Sequence, residues 1–124
     1  MFTHIMIGSN DLERSKRFYD ATFVALGGQA GETDARGRLI YVHNGGRLMI
    51  TAPIDGGPAT AANGGTIGIL AESPDHVQAW HDEGVAHGGT SIETPPSHRP
   101  NGQFVAYMRD PDGNKLTVRS VPKA

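Results

Sequence analysis

The chain contains no cysteine, so disulfides, thiolate metal sites and a thiol nucleophile are all excluded, and a reducing compartment is the natural setting. It also lacks an excess of charge of either sign. Eleven Lys and Arg stand against 13 Asp and Glu, a net of −2, with the signs interspersed. No basic stripe is available for nucleic acid and no polybasic surface for lipid headgroups, which argues against both as partners. Long apolar runs are missing as well: none approaches the ~20 residues of a membrane span, and the first residues lead directly into a strand pattern. A cytoplasmic location is therefore expected. At 124 residues the chain is long enough to bury most of its unfolded surface without staples, and it reads as one domain spanning residues 1–124.

What the sequence does contain is a duplication. His4-Ile5-Met6-Ile7-Gly8 leads into Asp11-Leu12-Glu13-Arg14-Ser15, as Thr66-Ile67-Gly68-Ile69-Leu70 leads into Ser73-Pro74-Asp75-His76-Val77. Each is a short strand followed by a helix start, each helix closes on a glycine pair (Gly27-Gly28, Gly88-Gly89), and each copy ends in two strands about a turn. Two copies near sixty residues indicate a pseudo-symmetric small domain rather than a solenoid. The first module is expected over residues 1–52 and the second over 66–124. Residues 53–65, rich in Gly, Pro and Ala, form the linker. In the first module Asn10 or Asp11 can cap the helix. Asn44-Gly45 supplies a hairpin turn. Weak edge strands are expected near Gln29–Glu32 and Thr90–Glu93, while Thr94–Gly102, with its three prolines, reads as a rigid loop.

Strand alternation then divides the side chains. One set, including Ile5, Ile7, Ile40, Val42, Leu48, Ile50, Ile67, Ile69, Leu116 and Val118, is apolar and is expected to face the helices. The other is mixed and contains His4, Met6, Tyr41, His43, Met49, Thr66, Tyr107, Arg109, Lys115, Thr117 and Arg119. Aromatic rings, methionines and a few donors on one face suit a pocket for a small amphipathic ligand.

The run Phe104-Val-Ala-Tyr-Met-Arg-Asp-Pro-Asp-Gly-Asn-Lys-Leu116, with His4, Asp11-Leu12-Glu13-Arg14-Ser15 and Phe18-Tyr19, resembles the vicinal oxygen chelate superfamily, which includes glyoxalase I, extradiol dioxygenases and bleomycin-resistance-type binding proteins. The resemblance implies an α+β fold of paired βαβββ modules, eight strands forming curved half-barrel sheets with the helices outside, and commonly a homodimer. Independently of the family, the Asp110-Pro111-Asp112-Gly113-Asn114 turn is explained by local chemistry. Asp110 can accept from the backbone ahead of it, Pro111 fixes φ, and Gly113 accepts a positive φ.

In metal-dependent members of that superfamily the first and last strands of each module supply the ligands. Carried over, the positions are His4, Met49, Thr66 and Thr117, with Ile50 replacing Met49 if the register slips by one, and only His4 is a competent donor for a divalent ion. No metal and no cofactor is therefore expected. The remaining metal alternative is a makeshift site of His4 and His43 with His98. The expected function is binding of a small, partly aromatic molecule by His4, Tyr41, His43, Met49, Thr66, Tyr107 and Thr117, with Tyr41 and Tyr107 as stacking walls from equivalent positions of the two copies. The alternative is a lyase, isomerase or dioxygenase using a non-standard metal site, or His4 with Tyr41 or Tyr107 as acid–base groups. Lys115 and Arg119 are expected to be solvated.

Overall fold

The computed structural model describes residues 1–122, so the last two positions of the expected second module lie outside the described residues. In chain order the elements are β1 (Ile5–Gly8), α1 (Leu12–Ala25), β2 (Glu32–Thr33), β3 (Leu39–His43) and β4 (Gly46–Thr51), then β5 (Ile67–Ala71), α2 (Pro74–Ala86), β6 (Thr90–Ser91), β7 (Ser97–His98), β8 (Phe104–Arg109) and β9 (Lys115–Ser120). The first sheet has the order β1-β4-β3-β2, the second β5-β9-β8-β6, and β7 also pairs with β8. In both sheets the first strand of the module runs parallel to its last and the remaining pairs are antiparallel. Neither sheet closes, and the architecture is the α+β fold of two βαβββ units.

One strand was not expected. Within Thr94–Gly102, Ser97 and His98 pair with Val105 and Phe104, and Arg99 N–H donates to Gln103 C=O at 2.8 Å. Pro95, Pro96 and Pro100 flank this pairing rather than enter it, because a proline has no N–H to give the ladder.

The helices begin where the caps place them. Asp11, extended at φ −156°, accepts from Arg14 N–H, and Ser73 accepts from His76 N–H with Pro74 at the first helical position. Asn10 does not cap. Its side chain exchanges hydrogen bonds with both backbone groups of Ala59 and so holds the linker against the first module. The two helices pack against each other, and each sheet turns one face to them. Phe18, Tyr19, Phe23 and Leu26 of the first helical segment meet Val77 and Trp80 of α2 in a single core that also takes in Leu39, Tyr41, Leu48, Ile50, Ala106, Met108, Leu116 and Val118. Each large apolar side chain buried this way stabilises by about 1.5–3 kcal/mol. Gly84 marks the tightest point. A Cβ there would overlap Met108 Cε and lie 3.3 Å from Thr22 Cγ2, so α2 approaches α1 and β8 together only because this residue has no side chain.

The modules are joined through the Asp110–Asn114 turn. Asp110, 3 % exposed, accepts from the Tyr19 hydroxyl at 2.5 Å, from Asp112 and Asn114 N–H, and from the Asn114 amide. Asn114 also donates to Gly8 C=O, while Asp112 takes hydrogen bonds from Arg14, Ser15 and Asn10 N–H. Burial first, and then the Asp110 carboxylate, pushes the Tyr19 phenol well above its ordinary pKa, which keeps it a hydrogen-bond donor. The sharp turn expected from the sequence is thus also a clasp between the start of α1 and the second sheet.

Candidate functional site on the open sheet faces

Register decides which side chains face the helices. Leu39 pairs with Ile50 and Tyr41 with Leu48, and Leu48 and Ile50 also pair with Ile5 and Ile7. Leu39, Tyr41 and His43 therefore lie on the helix side, and Ile40 and Val42 on the open side. This reverses the expected parity of β3. The four residues Leu39–Val42 are all able to be buried, so alternation gave no usable signal there, and the structure selects the parity that lets Asp20 satisfy the Tyr41 hydroxyl at 2.7 Å. The same register corrects the equivalence of the two tyrosines. Leu48 corresponds to Leu116, whose partner is Met108, while Tyr107 pairs with Thr117 and so corresponds to Ile40.

Tyr41 is accordingly a core residue, 2 % exposed and stacked on Phe23 with ring centres 4.9 Å apart and planes 13° apart. Burial, followed by the Asp20 hydrogen bond and charge, drives its pKa far upward. Asp20 is itself held low. Burial would raise it, but the Lys16 ammonium, the Gly31 N–H and the Tyr41 hydroxyl together outweigh that effect. Tyr41 is thus a poor acid–base group. His43 sits edge-on to Phe23 at 5.9 Å, and with Tyr41, Ile5, Leu48, Ile67 and Ile69 it lines a half-open crevice of about 240 Å³ between the two sheets.

The other expected site residues lie elsewhere. His4 is exposed, one residue before β1, with its ring bonded to Thr3. Met49 is buried on the open side of the first sheet, paired with Met6 and Ile40. Thr66 is exposed just before β5. Thr117 is buried opposite Gly68 and Tyr107, its hydroxyl donating to Ala106 C=O at 3.0 Å. The structure therefore brings Tyr107 and Thr117 together on the second sheet, leaves His4 and Met49 with the first, and takes Tyr41 and His43 to the opposite side. The makeshift histidine site is not assembled either. His43 is on the helix side and His98 sits edge-on to Phe104, with ring centres 4.8 Å apart. His76, His81 and His87 are occupied locally by Ser73, Ser91 and Glu83, and burial lowers the pKa of His81.

The donor set at the four inherited positions does not fit a catalytic divalent ion. One imidazole, one thioether and two neutral hydroxyls offer no carboxylate to balance its charge. Among the described residues no three His, Asp or Glu side chains are grouped to hold a metal.

Two features remain on the open faces. On the first sheet Met6, Gly8 and Thr51 meet the linker residues Pro53, Pro58 and Ala59 around a shallow depression of about 400 Å³. On the second, Tyr107 is half-buried among cations. Arg99 lies 5.6 Å and Lys115 5.4 Å from its ring centre, and Arg119 reaches its hydroxyl at 3.3 Å. Sequence reasoning placed Lys115 and Arg119 in solvent. Their parity with Thr117 was the available signal, whereas Arg99 arrives only through the unexpected pairing of β7. Large apolar side chains also stand uncovered on these faces: Met6 is 38 %, Val42 63 % and Leu70 56 % exposed. No helix among the described residues is long and apolar enough to cross a membrane.

Comparison with known proteins places this arrangement. The family model described as Glyoxalase/Bleomycin resistance protein/Dioxygenase superfamily matches residues 1–118. A glyoxalase/bleomycin resistance protein from Albidiferax ferrireducens T118 superposes with a TM-score of 0.92 at 47 % identity, covering 98 % of this chain and 99 % of that one. A glyoxalase-related enzyme from Fulvimarina pelagi gives 0.78 at 26 % identity, with 98 % and 88 % covered. Lactoylglutathione lyase from Agrobacterium tumefaciens, at 21 % identity and a TM-score of 0.67 with 97 % and 92 % covered, shares the fold. No curated protein matches the chain. With two βαβββ units, the clasping turn and a family match over nearly its whole length, the chain belongs to the Glyoxalase/Bleomycin resistance protein/Dioxygenase superfamily.

Proposed function

We propose that the protein binds a small, partly aromatic molecule on the open sheet faces, without a catalytic metal, and that it does so as a homodimer whose second copy covers those faces. The observation that carries the reading is the open face of the second sheet. There a half-buried tyrosine, a buried threonine hydroxyl and side-chain-free Gly68 adjoin exposed Leu70, while Ala106, Met108, Leu116 and Val118 on the opposite face are buried in the core. An apolar body with a few fixed polar groups is what a small-molecule site requires. The relative from Albidiferax ferrireducens, described as a glyoxalase/bleomycin resistance protein, is consistent with either binding or catalysis.

A fragment screen followed by amide-shift mapping tests the site. Hits are expected to move Tyr107, Thr117 and Arg119, and Tyr107→Ala is expected to weaken them about tenfold or more, as truncation of a contacting aromatic commonly does. The crevice is the second reading, favoured by its enclosure by Phe23, Tyr41 and His43. Hits lodged there would respond to His43→Ala and ignore Tyr107→Ala. Elemental analysis of protein dialysed without chelator is expected to find no stoichiometric divalent ion, and one Zn²⁺, Ni²⁺, Mn²⁺ or Fe²⁺ per chain that disappears with His4→Ala would overturn the metal-free reading. Light scattering is expected to give twice the 13.2 kDa of the chain, because uncovered Val42 and Leu70 and open strand edges call for a cover.

A further inference from the structure

The cations around Tyr107 point to a ligand class. We infer that the open face of β8 and β9 is an oxyanion subsite, formed by Arg119, Arg99 and Lys115 around Tyr107, for the carboxylate or phosphate-type group of a small organic anion. The inference rests on the small-molecule reading above and adds the charge of its ligand.

Three observations carry it. First, in a chain of net charge −2, three cations meet at one ring: Arg99 and Lys115 lie 5.6 and 5.4 Å from its centre, and Arg119 contacts its hydroxyl. Second, only one carboxylate answers them. Glu93 pairs with Lys115 at 2.6 Å, whereas neither Arg99 nor Arg119 has an ion-pair partner among the described residues. Third, Arg119 is half-buried yet its partners are all neutral and distant: Thr117 Oγ1 at 3.2 Å, Tyr107 Oη at 3.3 Å and Gln103 Oε1 at 3.4 Å. A guanidinium normally makes charge-assisted bonds of about 2.7–2.9 Å, so this one is held in place by weak neighbours with its fork still able to take an oxyanion. Like charges gathered on a partly desolvated face repel one another, and a bound anion would remove that repulsion. Arg109 is not part of the group, since its guanidinium is turned to Gly113 C=O at 2.7 Å.

The test uses three probes of one shape on the isotope-labelled protein: benzoate, phenylphosphonate and neutral benzamide. At least one anion is expected to shift the amides of Tyr107, Thr117 and Arg119, to bind roughly tenfold more tightly than benzamide, and to weaken as salt rises. The stronger of the two anions distinguishes a carboxylate from a phosphate-type site. Arg119→Met and Arg99→Met, checked for an otherwise unchanged spectrum, are each expected to weaken the anion about fivefold or more. Arg119→Lys, which keeps the charge and loses the fork, should fall between, and Arg17→Met on the exposed side of α1 should change nothing. Benzamide binding as well as both anions at these amides would overturn the oxyanion inference and leave the small-molecule reading standing. Shifts confined to the crevice residues, Phe23, His43 and Gly68 among them, or no shift with any probe at millimolar concentration, would overturn both.

Discussion

Replacing Asp110 by alanine is expected to cost about 4 kcal/mol of folding stability, a large part of the ~5–15 kcal/mol that holds a typical domain together. The carboxylate is buried and accepts from the Tyr19 hydroxyl, two backbone N–H groups and the Asn114 amide. Its removal leaves these donors facing a cavity, and each buried donor left unsatisfied costs about 1–3 kcal/mol unless water enters. Tyr19 cannot relieve the loss by ionising, because its burial already holds the proton on. Urea unfolding followed by circular dichroism measures the effect, and a variant within ~0.5 kcal/mol of the parent would show that the clasp is not what joins the modules. Asp112→Ala cuts a different set of contacts, those to Arg14, Ser15 and Asn10 N–H. It should destabilise less, since Arg14 is partly solvated.

That the same five residues are readable from the sequence as a sharp turn, but not as a clasp, marks a general limit of the sequence. Local chemistry is written in it. Asp11 and Ser73 as caps, Pro74 at the first helical position, the Asn44-Gly45 hairpin with φ of 48° and 79°, and the polar–apolar alternation of β9 all announce themselves within a few residues. The duplication then supplies the order of elements, and the family resemblance agrees with it. Partners distant in sequence are not written locally. Nothing near Tyr41 indicates that Asp20 will take its hydroxyl, and nothing near Tyr107 indicates that β7 will carry Arg99 to its ring. The error in β3 has this origin. A strand reading Leu-Ile-Tyr-Val can bury either face, and the tertiary partner of its one polar atom chose between them.

Because the two tyrosines lie on opposite sides of their sheets, the same substitution should have opposite consequences. Tyr41→Ala is expected to cost about 3–5 kcal/mol of stability. It removes a ring stacked on Phe23, packed 5.8 Å from Tyr19, and crossed by the chain at Gly31, where even a Cβ would meet Tyr41 Cζ at 2.5 Å. Tyr41→Phe keeps the ring and loses only the hydroxyl, and Asp20 retains Lys16 and the Gly31 N–H, so about 1 kcal/mol is expected. Tyr107→Ala should cost less than ~1.5 kcal/mol, since the ring is half-buried and, among the described residues, its hydroxyl meets only Arg119. Its effect should appear instead as a loss of ligand binding with the fold intact. Thermal unfolding of the three variants beside the parent decides the matter. If Tyr107→Ala melts as early as Tyr41→Ala, the open face of the second sheet is part of the core that holds the chain together, and it is no longer a place where a ligand could sit.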